Sequence, residues 1–127
     1  MAVLLKPAEA YRRVALDARV AGADPAQLVL LCYEQLTDSL GQAIEASARG
    51  DNPRRSAAMT KAMSALTALQ LGLDPGHALS ATLSDFFSGV RRVLLDNVPA
   101  FDAAAVAAIK SDVVDVADGL IRASRNR

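Results

Sequence analysis

Few side chains in this sequence could make or break bonds: one histidine, His77, one cysteine, Cys32, and the glutamates Glu9, Glu34 and Glu45. A di-iron or di-manganese centre between helices needs glutamates from several helices and two Glu-x-x-His pairs, so a single histidine excludes that chemistry. A nucleophilic triad would have to centre on His77. That residue follows Pro75-Gly76 at the expected start of a helix, a common place for a solvated polar side chain. Cys32 lies inside an apolar run with no base beside it, and a neutral thiol there behaves as a small buried hydrophobe. The seven glycines form no phosphate-binding loop and no dinucleotide fingerprint. These residues predict no catalytic group, no metal and no cofactor, so the chain is not expected to be an enzyme.

Phosphorelay transfer domains are helical bundles with one phosphoacceptor histidine, followed in their signature by Lys-Gly. His77 is followed by Ala78, Leu79, Ser80 and Ala81, so that match fails. Fourteen Lys plus Arg balance fourteen Asp plus Glu, and zero net charge removes the electrostatic warrant for binding nucleic acid or an anionic membrane. The runs Leu28 to Tyr33 and Ala103 to Ile109 fall far short of the roughly 20 apolar residues of a membrane span. The start, MAVLLK, reaches Pro7 too soon for a signal-peptide core and lacks a basic segment ahead of it. A lone cysteine cannot form an internal disulfide, which points to a reducing compartment. A cytoplasmic location is expected.

What remains is binding, and the elements that would position it are helices. The 127 residues are one domain's worth, 52% are apolar, and about one in five is alanine, the best helix former. Asp24-Pro25, Asn52-Pro53, the stretch from Gly72 to Gly76 and the stretch from Asp96 to Asp102 carry stop and start chemistry. They delimit helices near 25–49, 53–71, 77–97 and 102–123. The apolar stripes expected to face the core are Val29, Tyr33, Leu36, Leu40 and Ala43 with Ile44, flanked by a second row of Leu28, Leu31 and Cys32; Met59, Ala62, Leu66, Leu69 and Leu73; Leu79, Leu83, Phe86, Val90 and Val93 with Leu94; and Val106, Ile109, Val113, Ala117 and Leu120. Short connections place successive helices side by side, which predicts an all-α, antiparallel, up-and-down four-helix bundle. A shorter pattern from Pro7 to about Arg19, with Tyr11, Val14 and Ala18 on one face, precedes the joint Ala21-Gly22-Ala23. Residues 1–22 are therefore expected to form a mobile helical arm, and 23–127 the bundle.

Two details of the third helix have two readings each. Gly89 either admits a neighbouring backbone or is a tolerated flaw. Phe86, Phe87, Arg91 and Arg92 are either an aromatic and basic patch, or a core Phe86 beside a solvated arginine face.

The stretch from Ala23 to Asp51 resembles the opening of the flagellin export chaperone family, FliS. That family shows an N-terminal tyrosine, then Ala-Ser/Asn-Pro, a Leu-rich run ending in Leu-Tyr-Asp-Gly, and a polar helix ending near Gly-Asp. Tyr11, Ala23-Asp24-Pro25, the run from Leu28 to Tyr33, and Gly50-Asp51 stand at those places. Arg91-Arg92 and, five residues on, Asn97 match the family's third helix. Departures are Glu34-Gln35 in place of Asp-Gly, and Phe86, Ser88 and Gly89 in place of Tyr-x-Tyr and Met. The resemblance spans about 11 to 123.

The resemblance implies a cytoplasmic chaperone for the disordered C-terminal segment of flagellin, which it keeps from polymerising and helps deliver to the flagellar type III export apparatus. Grooves of a helix bundle suit such a segment. The residues expected to contact the partner are Tyr11, Val14, Leu28, Leu31, Tyr33, Phe86, Phe87, Arg91 and Arg92. An export-gate component is a further candidate partner, and a homodimer a candidate form. The alternative is an unrelated helical adaptor or self-associating bundle with the same alanine-rich, proline-capped pattern.

Overall fold

The computed structural model describes residues 25–125, and within them four helices form: α1 (Pro25–Ala48), α2 (Asn52–Leu71), α3 (Ser80–Asp96) and α4 (Ala103–Arg125). Each helix packs on its neighbours in sequence, and α4 closes the ring against α1. Diagonal helices do not approach at the backbone and meet only through core side chains, as an up-and-down four-helix bundle requires. The expected arm, with Tyr11 and Val14, and the Asp24 cap lie outside the described residues.

The α1–α2 corner is the most fully specified turn. Gly50 adopts φ +71°, its N–H donates to the Ser47 carbonyl at 3.1 Å, and the Asp51 N–H donates to the Ala46 carbonyl at 2.9 Å. This is a Schellman ending, in which a left-handed glycine lets the chain turn back on the last helical carbonyls. Asp51 then caps the next helix, its Oδ1 accepting the Arg54 N–H at 3.1 Å, with Pro53 in the first turn. The cap is thus Asp51 and not Asn52, one residue earlier than the sequence pattern suggests, because the aspartate can reach the third helical N–H. The resulting hairpin is tight, and α1–α2 is the most extensive helix pair. Alanines on both sides, Ala43 and Ala46 facing the α2 row of Ala58, Ala62 and Ala65, are buried and keep the axes close.

Helix α3 begins later than expected. Asp74 Oδ1 accepts the Gly76 N–H at 2.9 Å, and His77 Nδ1 accepts the Leu79 N–H at 3.0 Å, so residues 74–79 are held in turns. Asp102 caps α4 as anticipated, taking the N–H groups of Ala104 and Ala105.

The core is built on Leu36, Leu40, Leu66, Phe87, Val90, Leu94, Val106 and Val113, all fully buried. The expected α1 stripe is buried from Tyr33 through Leu36, Leu40 and Ala43 and differs only at its start, whereas the α3 stripe is rotated. In α1, Val29 is exposed, and Cys32 and Tyr33 are the first residues to enter the core. In α3, Leu79 is exposed, Phe86 is half-buried and Phe87 is 1% exposed. The buried row is therefore Phe87, Val90 and Leu94, flanked by Leu83. Adjacent phenylalanines make both phases of α3 equally apolar, and the facing Tyr33 ring, 6.1 Å from Phe87, decides which one turns inward.

Candidate partner-binding surface

The expected contact residues within the described chain divide into three groups. Tyr33 and Phe87 are core residues, and Phe87 also meets Phe86 at a ring distance of 5.7 Å. Leu28, Leu31 and Phe86 are half-buried at the margin of the core, with part of each side chain open. The third group is the arginine pair, whose members have different surroundings.

Arg91 turns back onto α2. Its Nε donates to Gln70 Oε1 at 3.0 Å, and its Nη2 donates to Thr67 Oγ1 at 2.8 Å and also to Gln70 Oε1. The guanidinium is a clamp between α3 and α2, and burial lowers its pKa. Arg92, one residue on and about 100° further round the helix, is exposed. The patch and solvated-face readings each miss half of this arrangement: Phe87 rather than Phe86 is the core ring, and only Arg92 is solvated. Gly89 has nothing within 4 Å of the place a Cβ would occupy, so no neighbouring backbone requires it.

Exposed aliphatic residues are the surface feature that the sequence reading passed over. Val29 and Leu30 lie in the first turns of α1, Leu71 ends α2, and Leu79 precedes α3. In an up-and-down bundle these positions lie towards one end, which therefore carries four large exposed side chains as well as half-buried Leu28, Leu31 and Leu73. At the opposite end Leu95 and Val98 are exposed, 64% in the case of Val98. The available signal was an apolar residue placed against a helix stop, as in Leu71-Gly72 and Val98-Pro99.

The reactive side chains are occupied or shielded. His77 Nδ1 accepts a backbone N–H in the turn before α3. Burial pushes the Cys32 thiol up to about 11, and the Tyr33 phenol to about 12 through burial and then the neighbouring Cys32. Among the described residues, no group of three or more His, Cys, Asp or Glu is placed to hold a metal ion. Nor is any described helix long and apolar enough to cross a membrane. One cleft of about 380 Å³ runs between the second half of α1 and the first half of α2, lined by Gln42, Glu45, Arg49, Asp51, Arg54 and Lys61 over Ala46, Ala57 and Ala58.

The bundle commits polar side chains to caps and to a clamp between helices, and leaves aliphatic side chains open towards its ends. The profile of the family described as flagellar protein FliS matches residues 7–125. The chain belongs to that family, the flagellar export chaperones. This sets aside the reading of an unrelated adaptor with a similar composition. No curated protein and no solved structure matches the chain.

Proposed function

We propose that this protein is a cytoplasmic, non-enzymatic chaperone of flagellin. It binds the disordered C-terminal segment of flagellin, prevents premature polymerisation and aids delivery to the flagellar type III export apparatus. Family membership supports the export role. The observation that carries the binding mode is the exposure of Val29, Leu30, Leu71 and Leu79 towards the end where α1 begins. Leu28, Leu31 and Phe86 extend that surface into the seams between helices, Tyr33 and Phe87 shape it from below, and Arg92 is a polar contact at its rim. Arg91 contributes by holding α3 against α2. Tyr11 and Val14, in the segment that leads into α1, compete for this surface or complete it. An export-gate component is the second partner the role calls for, and a homodimer would cover the same apolar end in the free protein.

A disordered tail that folds onto such a surface buries on the order of 1,000 to 3,000 Å², offset by about 2 to 5 kcal/mol of ordering cost. Apolar contact dominates, so affinity should respond weakly to salt. Titration calorimetry with the isolated flagellin C-terminal segment tests this. The expected result is a 1:1 complex with a large negative heat-capacity change, unaltered by added salt. Absence of heat at high micromolar concentration would sink the proposal.

A further inference from the structure

The zero net charge of the chain conceals a sharp segregation. Helix α1 carries Glu34, Asp38 and Glu45 and no lysine or arginine, whereas α2 carries Arg54, Arg55 and Lys61 and no carboxylate. The 380 Å³ cleft lies where the basic helix begins, and its carboxylates are locally engaged. Glu45 pairs with Arg49 at 2.8 Å, and Asp51 Oδ1 holds the Arg54 backbone N–H. Arg55 is drawn to the other side, its guanidinium 5.4 Å from the centre of the Phe101 ring. The Arg54 guanidinium and the Lys61 ammonium have no ion-pair or hydrogen-bond partner among the described residues.

We propose that this cleft is a second docking site, separate from the apolar end and independent of the flagellin reading, and that it takes an acidic polypeptide segment. Three features select that occupant. Arg54 and Lys61 stand seven residues apart on one helix, a rise of about 10 Å. A helical segment with acidic residues at i and i+7 spans that rise, as does an extended one with acidic residues at i and i+3, at about 3.3 Å per residue. A compact phosphate does not span it. The floor is alanine, with Ala46 and Ala58 buried, so the cleft admits the body of a peptide chain where larger side chains would fill it. Finally, Gln42, Glu45 and Asp51 have acceptor oxygens at the cleft for a segment's own N–H groups, which a bare anion lacks.

The test uses the full chain, labelled with nitrogen-15, and an acetylated, amidated alanine- and glutamine-based peptide carrying glutamates at i and i+7. Saturable amide shifts are expected around Ala46, Arg54, Ala57 and Lys61, weakening as salt rises. R54E/K61E should weaken binding at least tenfold and should instead take up the same peptide with lysines in place of the glutamates. Where that variant fails to fold, R54Q/K61Q with the glutamate peptide gives the same comparison. Shifts scattered over the surface, undiminished binding by the folded variant, or equal shifts produced by inorganic phosphate at the same concentration would each overturn the proposal. Titration of R54E/K61E with the flagellin tail separates the two sites, because that affinity should stay within twofold of the unaltered chain.

Discussion

The side-chain carbonyl of Asn97 accepts the backbone N–H of Asp102 at 2.6 Å, joining the end of α3 to the cap of α4 across the corner. The same buried amide donates through Nδ2 to the Val93 carbonyl at 2.8 Å, which also accepts the backbone N–H of Asn97 at 3.2 Å, so the residue holds the last turn of α3 twice over. Asp102 passes the connection on, since its Oδ1 accepts two N–H groups of α4. Asn97 is thus a residue of the fold, and its place in the family pattern has a structural account.

Replacing Asn97 with alanine removes both side-chain bonds and leaves the Asp102 N–H without its partner, which should cost about 1 to 3 kcal/mol. Asp102→Ala should cost about 1 kcal/mol as a lost cap. The double variant should lose less than the sum, because without its cap the start of α4 frays and the Asp102 backbone N–H that Asn97 holds is less well fixed. Denaturant midpoints measure all three, and full additivity would contradict the coupling.

The glycines of the helical hairpin and of α3 should respond with opposite signs. Gly89→Ala meets open space and should stabilise by about 0.5 to 1 kcal/mol through helix propensity. Gly50→Ala must hold a left-handed conformation at φ +71° and should destabilise by about 1 to 2 kcal/mol. Thermal melts of the two variants decide it; a shared sign would refute the assignment.

The arginine pair should separate in the same way. Arg91→Ala breaks bonds to Thr67 and Gln70 and should cost about 1 to 3 kcal/mol. Arg91→Lys should recover only part, because an ammonium lacks the planar fork that reaches both partners. Arg92→Ala should stay within about 0.5 kcal/mol of the original stability, as an exposed change does. Equal losses at 91 and 92 in urea unfolding would remove the clamp.

Alkaline pH probes the α1 core. The Cys32 thiol rises from 9.0 to about 11 and the Tyr33 phenol from 10.0 to about 12, so the folded state favours the neutral form of each. Their contribution is fully present below the unfolded values and is lost as pH climbs from about 9 towards 12. Stability measured by urea unfolding should fall across that window, and Cys32→Ala should flatten its lower part. Native Cys32 should also resist alkylation by iodoacetamide at pH 8 until the chain unfolds. Rapid labelling of the folded protein would show the thiol to be accessible.

Much of the fold was legible in one dimension because its determinants are local. Asp51 and Asp102 accept N–H groups within three residues of themselves, Pro53 sets its own φ for the first turn, and Gly50 turns the chain at its own φ. The apolar period is likewise a property of each segment alone, so the number, order and approximate limits of the helices followed from the residues. The argument against a di-metal site with two Glu-x-x-His pairs needed only a count of histidines, and the family resemblance needed only the ordered series from Tyr11 to Asn97.

Tertiary structure decided how far each helix is rotated about its axis. A period places apolar residues on one side of a helix but does not say which of two adjacent ones lies deepest. Phe87 rather than Phe86 is buried because Tyr33, from a helix more than fifty positions earlier, meets it there. The same distance in sequence hid the role of Arg91, whose partners Thr67 and Gln70 lie on α2. The exposure of Val29, Leu71 and Leu79 towards one end, and the cleft that collects Arg54 and Lys61, likewise exist only once antiparallel helices lie side by side. Composition sums charge and apolarity over the whole chain, whereas a binding surface depends on where packing leaves them exposed.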